Sequence, residues 1–141
     1  MVFPDPVPGL VIRYAYLWRK EHERGLEEGL KDRPCAIILV VVDEDGDKVV
    51  TVLPVTHAPP SDAADAVEIP AATKRRLGLD EERSWIVVTE ANEFAWPGPD
   101  LRVARPGDTG SVVYGLSPKG LFNQLQEKFL RKRAAVVTRT E

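Results

Sequence analysis

The sequence predicts a mainly β, α+β domain: a small, partly closed β-barrel capped by a C-terminal helix. Three observations lead there. Short β-branched runs recur through the first two thirds of the chain, they follow one another in meander order, and one amphipathic helical pattern stands near the end. The chain has 141 residues, 43% hydrophobic and 29% charged, which is ordinary for one soluble globular domain. No period of 20 to 50 residues repeats and no low-complexity tract interrupts it.

The first strand is expected from Gly9 to Trp18, where Val11, Arg13, Ala15 and Leu17 alternate with Ile12, Tyr14, Tyr16 and Trp18. From Arg19 to Asp32 the composition turns charged, with Gly25 and Gly29, and predicts a long loop in which Glu21 to Leu30 can hold a helical turn. Cys35 to Val42 and Val49 to Val55 are the second and third strands. Asp45 and Gly46 between them suit a hairpin turn that needs positive φ.

A loop follows from Ala58 to Ala64, then a short strand from Val67 to Ile69. Ala71 to Leu77 reads as a short helix stopped by Gly78, and Ser84 to Thr89 as another strand. Phe94 to Asp100 is expected to be irregular, because Pro97 and Pro99 remove ladder donors. Short edge pairings are expected at Leu101 to Val103 and Ser111 to Tyr114. In the terminal helix Ser117 is the expected N-cap and Pro118 the first helical residue, with Leu121, Phe122, Leu125, Phe129 and Leu130 forming the apolar stripe.

Composition excludes several functional classes. The longest apolar run, Cys35 to Val42, falls well short of the roughly 20 residues of a membrane-spanning helix. The first residues lack the basic and apolar regions of a signal peptide, so a cytoplasmic location is expected. One cysteine forms no internal disulfide, and two histidines with that cysteine lack zinc-site spacing, so neither metal nor cofactor is expected. The net charge of −3 argues against non-specific coating of nucleic acid. The basic clusters Lys74 to Arg76 and Arg131 to Arg133 read as solvated helix faces.

One juxtaposition points to chemistry. Asp32, Arg33 and Pro34 open the second strand, and Thr56 and His57 follow the third. In an antiparallel pair the start of one strand and the end of its neighbour share a sheet edge, so Arg33 and Thr56 can converge on a phosphate. Arg33 offers a permanent, bidentate charge and Thr56 a hydroxyl. The competing structural readings pair Arg33 with Asp32 or Glu23 and let Thr56 merely end a strand.

These residues also carry a resemblance. Pro8 and Gly9 before the first strand, His22 and Glu23 in a glycine-containing loop, Arg33–Pro34, and Pro54–Val55–Thr56 resemble the MazF/PemK family of type II toxin–antitoxin toxins. The similarity covers about residues 8 to 133, leaving 134 to 141 as a C-terminal tail of a single domain. It implies an SH3-like barrel that dimerises with itself, cleaves single-stranded RNA or mRNA without a metal, and is covered by a cognate antitoxin. The implied catalytic set is Arg33 and Thr56 at the phosphate, with His22, His57 or Glu90 handling protons. Glu90 matches the region where relatives carry an aspartate, although the arginine that some of them place ahead of it is replaced here by Ile86, Val87 and Val88. Trp96, flanked by prolines and glycine, is expected to be exposed and to stack on bases, with Asn92 as a second RNA contact. Two other readings stay open: a non-catalytic RNA-, DNA- or antitoxin-binding barrel, and a barrel that recognises peptides through its loops.

Overall fold

Eight strands and three α-helices follow one another along a computed structural model that describes residues 3–26, 31–105, 107, 110–132 and 134–139. They are β1 (Leu10–Tyr14), α1 (Arg19–Glu23), β2 (Arg33–Val42), β3 (Lys48–Thr56), β4 (Ala66–Glu68), α2 (Ala71–Leu77), β5 (Trp85–Val87), β6 (Glu90–Ala95), β7 (Val113–Leu116), α3 (Lys119–Arg131) and β8 (Ala135–Thr138). A 3₁₀ turn, Ala63–Asp65, precedes β4. The fold is α+β, dominated by antiparallel pairing. Its strand path runs β4-β5-β3-β2-β1-β7, with β6 branching from β3 and β8 lying beyond β6. Among the described residues β4 and β7, the ends of that path, do not pair with each other, so the sheet is open.

The β2–β3 hairpin is the spine. Val, Ile and Leu fill both strands, whose stiff side chains fit a pleated surface, and Gly46 turns the connection at φ +84°. β3 serves two partners in succession: Val49 to Val52 pair with β6, then Val55 and Thr56 with β5. Because neighbouring residues point to opposite faces, β2 feeds two cores. Cys35 and Ile37 join Ile12, Tyr14, Val50 and Phe94 on one face. Ala36 and Ile38 join Leu53, Ile86, Val88 and α3 residues Leu121 and Leu125 on the other. Truncating fully buried Leu125 to Ala is expected to cost about 2–5 kcal/mol.

Several expectations change. β1 ends at Tyr14, because Tyr16 already bonds back to the Tyr14 carbonyl. The loop after it begins with α1, whose N-terminus is held by the Glu21 carboxylate accepting from the Trp18 N–H at 3.0 Å; residues 27–30 of that loop lie outside the described ones. Ser117 does not cap α3: Pro118 takes that place, and the Ser117 hydroxyl donates to the Gly9 carbonyl, tying the helix start to β1. The irregular stretch expected from Phe94 begins at Trp96, two residues later, since β6 runs through Phe94 to Ala95. The expected tail contains a strand, as β8 pairs in parallel with β6 over Ala135 to Thr138.

Lys74 also departs from the solvated-face reading. It is buried, while its neighbours Arg75 and Arg76 are exposed. Among the described residues no helix is long and apolar enough to cross a membrane.

Candidate functional site

The antiparallel register of β2 and β3, Cys35 opposite Pro54, brings Arg33 and Thr56 to the same end of the hairpin. There they wall a cleft of about 560 Å³ together with His57, Arg13, Tyr114 and Arg105. Arg13 reaches it from β1, directly across from Pro34. The basic side chains Arg13, Lys31, Arg33, Lys74 and Arg105 outnumber the acidic Asp32 and Asp80 around this space. On a chain of net charge −3 the cleft is therefore a local concentration of positive charge.

Arg33 is positioned without being neutralised. Its Nη1 donates to the Val55 carbonyl at 3.2 Å, and its guanidinium lies 4.8 Å from the centre of the Trp18 ring. Its buried Nε has no hydrogen-bond partner among the described residues. The two carboxylates expected to compete for it are engaged elsewhere, Asp32 with Arg102 at 3.6 Å and Glu23 with Arg19 at 3.0 Å. One edge and one face of the cation are fixed, which leaves donors for an anion.

Thr56 is the last residue of β3, so His57 beside it escapes strand alternation and both line the cleft. The Thr56 hydroxyl oxygen accepts from the Ala58 N–H at 3.2 Å, which leaves its proton free to donate. His57 lies with its Nε2 at 2.8 Å from an Asp80 carboxylate oxygen and its Nδ1 at 3.4 Å from a Glu82 oxygen. Asp80 is gripped from behind by Lys74, whose ammonium donates to it at 2.7 Å, to the Ser84 hydroxyl at 2.6 Å and to the Glu82 carbonyl. Burial alone would push the Asp80 carboxyl up, but hydrogen bonds and charge from Lys74 and then His57 outweigh it and hold it below its ordinary 3.8.

The remaining wall is built from rigid contacts. Arg105 donates to the Leu77 and Tyr114 carbonyls at 3.1 and 3.0 Å. Gly78 caps α2 at φ +71°, and a Cβ there would meet the Arg105 Nε at 3.2 Å, so glycine both permits the turn and makes room for the guanidinium. Burial raises the Tyr114 phenol above its ordinary 10.0, with Arg13 opposing the rise.

The other sequence candidates sit elsewhere. His22 is exposed on α1 and does not line the cleft. Glu90 opens β6, where one carboxylate oxygen accepts from the Tyr16 hydroxyl at 3.1 Å and the Arg19 N–H at 3.0 Å, and it too is outside the cleft lining. Asn92 is fully buried: it accepts from the Leu17 N–H and donates to the Leu17 carbonyl, so it offers no surface to RNA. Trp96 is half-buried rather than exposed, packed against Phe94 with its indole N–H donating to the Pro4 carbonyl at 3.0 Å.

Sequence reasoning missed Arg13, Lys74, Asp80 and Arg105. Arg13 carried a signal, a lone charge inside an apolar strand. Lys74 was masked by its basic neighbours, and Arg105 and Asp80 sit in loops whose approach to the cleft depends on tertiary packing. Among the described residues no group of three or more His, Cys, Asp or Glu is arranged to hold a metal ion. No protein-family model matches the chain, and no curated protein matches it.

Proposed function

We propose that the protein is an endoribonuclease that cleaves single-stranded RNA at the Arg33–Thr56–His57 cleft. The observation that carries this reading is an arginine held in place yet left with free donors, beside a hydroxyl with a free proton and an imidazole, in one basic cleft.

In the proposed reaction the ribose 2′-oxygen attacks the adjacent phosphorus and the bond from phosphorus to the 5′-oxygen breaks. The products are a 2′,3′-cyclic phosphate and a 5′-hydroxyl. Arg33 binds two phosphate oxygens and stabilises the charge that accumulates on the phosphorane. Thr56 donates to the same group. His57, whose place in the cleft wall favours it over His22 and Glu90 outside, takes the proton of the attacking 2′-hydroxyl; a water molecule protonates the departing 5′-oxygen and the imidazolium returns its proton to the hydroxide left behind, so the protons balance.

The wider reading accompanies this one: an SH3-like, partly closed barrel in the manner of the MazF/PemK toxins, acting in the cytoplasm as a homodimer and restrained by an antitoxin. Leu39, Val41 and Val42 on β2, 48%, 50% and 60% exposed, supply apolar surface of the kind a second copy covers.

The test is incubation of the purified protein with a mixed single-stranded RNA in EDTA, wild type against Arg33→Ala, with cut positions and end chemistry mapped. Discrete cuts with cyclic phosphate ends, lost in the variant, establish the reading. RNA bound but uncut by both proteins favours a regulatory, non-cleaving barrel. Absence of any salt-dependent RNA affinity removes nucleic acid altogether.

A further inference from the structure

We infer that Asp80, anchored by the buried Lys74, is a positioning residue that orients the His57 ring so that Nδ1 is its working nitrogen; this rests on the nuclease reading above.

The argument starts at Lys74. A lysine side chain 6% exposed is costly to bury, and it persists because all three of its donors are satisfied, by Asp80, Ser84 and the Glu82 carbonyl. That arrangement leaves Lys74 little freedom and fixes one oxygen of Asp80. The other oxygen, on the cleft side, meets His57 Nε2 at 2.8 Å. An ionised carboxylate has only acceptors, so the ring nitrogen facing it must carry the hydrogen. In the neutral imidazole the lone pair then resides on Nδ1.

Glu82 is the other charged group facing the ring, 3.4 Å from Nδ1, with a side chain 74% exposed. Two acceptors do not hold each other, so Glu82 does not fix Nδ1 of the neutral ring as Asp80 fixes Nε2. When Nδ1 takes the 2′-hydroxyl proton, the imidazolium that forms lies between the two carboxylates. The logic is that of a serine-protease triad, in which the aspartate sets tautomer and orientation and stays ionised. Here the aspartate is in turn set by a buried lysine. His57 touches the reacting proton; Asp80 and Lys74 act through it.

The sequence places Lys74 and Asp80 six residues apart around the α2 C-terminus, with Gly78 making the turn between them. This short segment therefore carries the support for a histidine from a different strand end.

The experiment compares wild type, Asp80→Asn and Asp80→Glu in steady-state cleavage of an RNA containing one mapped cut site, alongside ¹⁵N spectra of the imidazole rings of protein without RNA. Two histidines make assignment direct, with His22→Gln identifying the other ring. The expected result for Asp80→Asn is a fall in kcat of about 10²-fold with KM little changed, and loss of the single Nε2–H tautomer. Asp80→Glu is expected to recover the tautomer and part of kcat. Unchanged kcat in Asp80→Asn overturns the inference while leaving the nuclease reading standing. So does a fall in kcat with the tautomer intact, which marks Asp80 as merely structural. A wild-type protein that cuts no RNA overturns both, and is recognised before any variant is made.

Discussion

Lys74 and Arg139 are both buried cations paired with an aspartate, yet their surroundings differ. Arg139, 3% exposed, meets Asp100, 10% exposed, at 2.9 Å, and also donates to the Ala15 carbonyl and the Asn92 side chain. Its guanidinium covers the Tyr14 ring at 5.3 Å. That cluster is sealed on all sides and joins β8 to β6 and to the chain leaving β1. Lys74 is as deeply buried, but its aspartate is 55% exposed and extends into the cleft toward His57. A buried charge whose partner is also buried holds the frame together. A buried charge whose partner faces solvent holds that partner in position for something else.

Breaking the sealed pair should have the largest effect. Arg139→Met leaves Asp100 buried without its cation, and urea denaturation is expected to show a loss of about 3–5 kcal/mol. A loss below 1 kcal/mol would mean that the cluster is not the clasp described here. The open side should respond in the opposite sense. Arg33→Ala is expected to lower RNA cleavage about 10²- to 10³-fold while stability stays within about 1 kcal/mol, measured on the same preparation by initial rates and urea curves.

Acid sharpens the comparison further. Asp80 holds its proton less readily in the folded protein than in the unfolded chain. Its stabilisation is therefore complete above its ordinary value of 3.8 and is lost as pH falls through the lower, folded-state value. Asp80→Asn should flatten the dependence of stability on pH in this acid range, as followed by thermal melts. A slope identical to wild type would show that Asp80 does not feel Lys74 and His57 as the geometry requires. The smallest effect is expected at Tyr14, whose buried hydroxyl has no partner among the described residues. Tyr14→Phe removes a desolvated polar atom and should leave stability unchanged or raise it by about 1 kcal/mol.

The same contrast explains what was legible in the sequence. The β2–β3 hairpin, the run from Ala71 to Gly78 and the stripe of α3 are written in local chemistry: apolar runs around Asp45–Gly46, a glycine stop, and three- and four-residue spacing. The convergence of Arg33 and Thr56 followed from hairpin geometry, whereas His57 joins them only because β3 ends at Thr56. β6 was not legible, because the polar residues Glu90, Asn92 and Glu93 carry no strand pattern between Thr89 and the stretch expected to be irregular; Asn92 is in the strand because its amide answers both backbone groups of Leu17, 75 residues away in sequence. β8 and the buried state of Lys74 were hidden for the same reason. A basic residue becomes interior only when distant acceptors surround it, and no local pattern announces them.

The position of Arg139 also sets an order of events during synthesis. Chains leave the ribosome from the N-terminus, and every side chain of the cleft lies between Arg13 and Tyr114. The clasp comes 25 residues after Tyr114, as 139 − 114 gives. Asn92 and Asp100 are therefore made before the arginine that joins them, and the clasp closes only after the last residue of the cleft has been synthesised. Completion of the frame thus waits on a residue that the cleft itself does not contain.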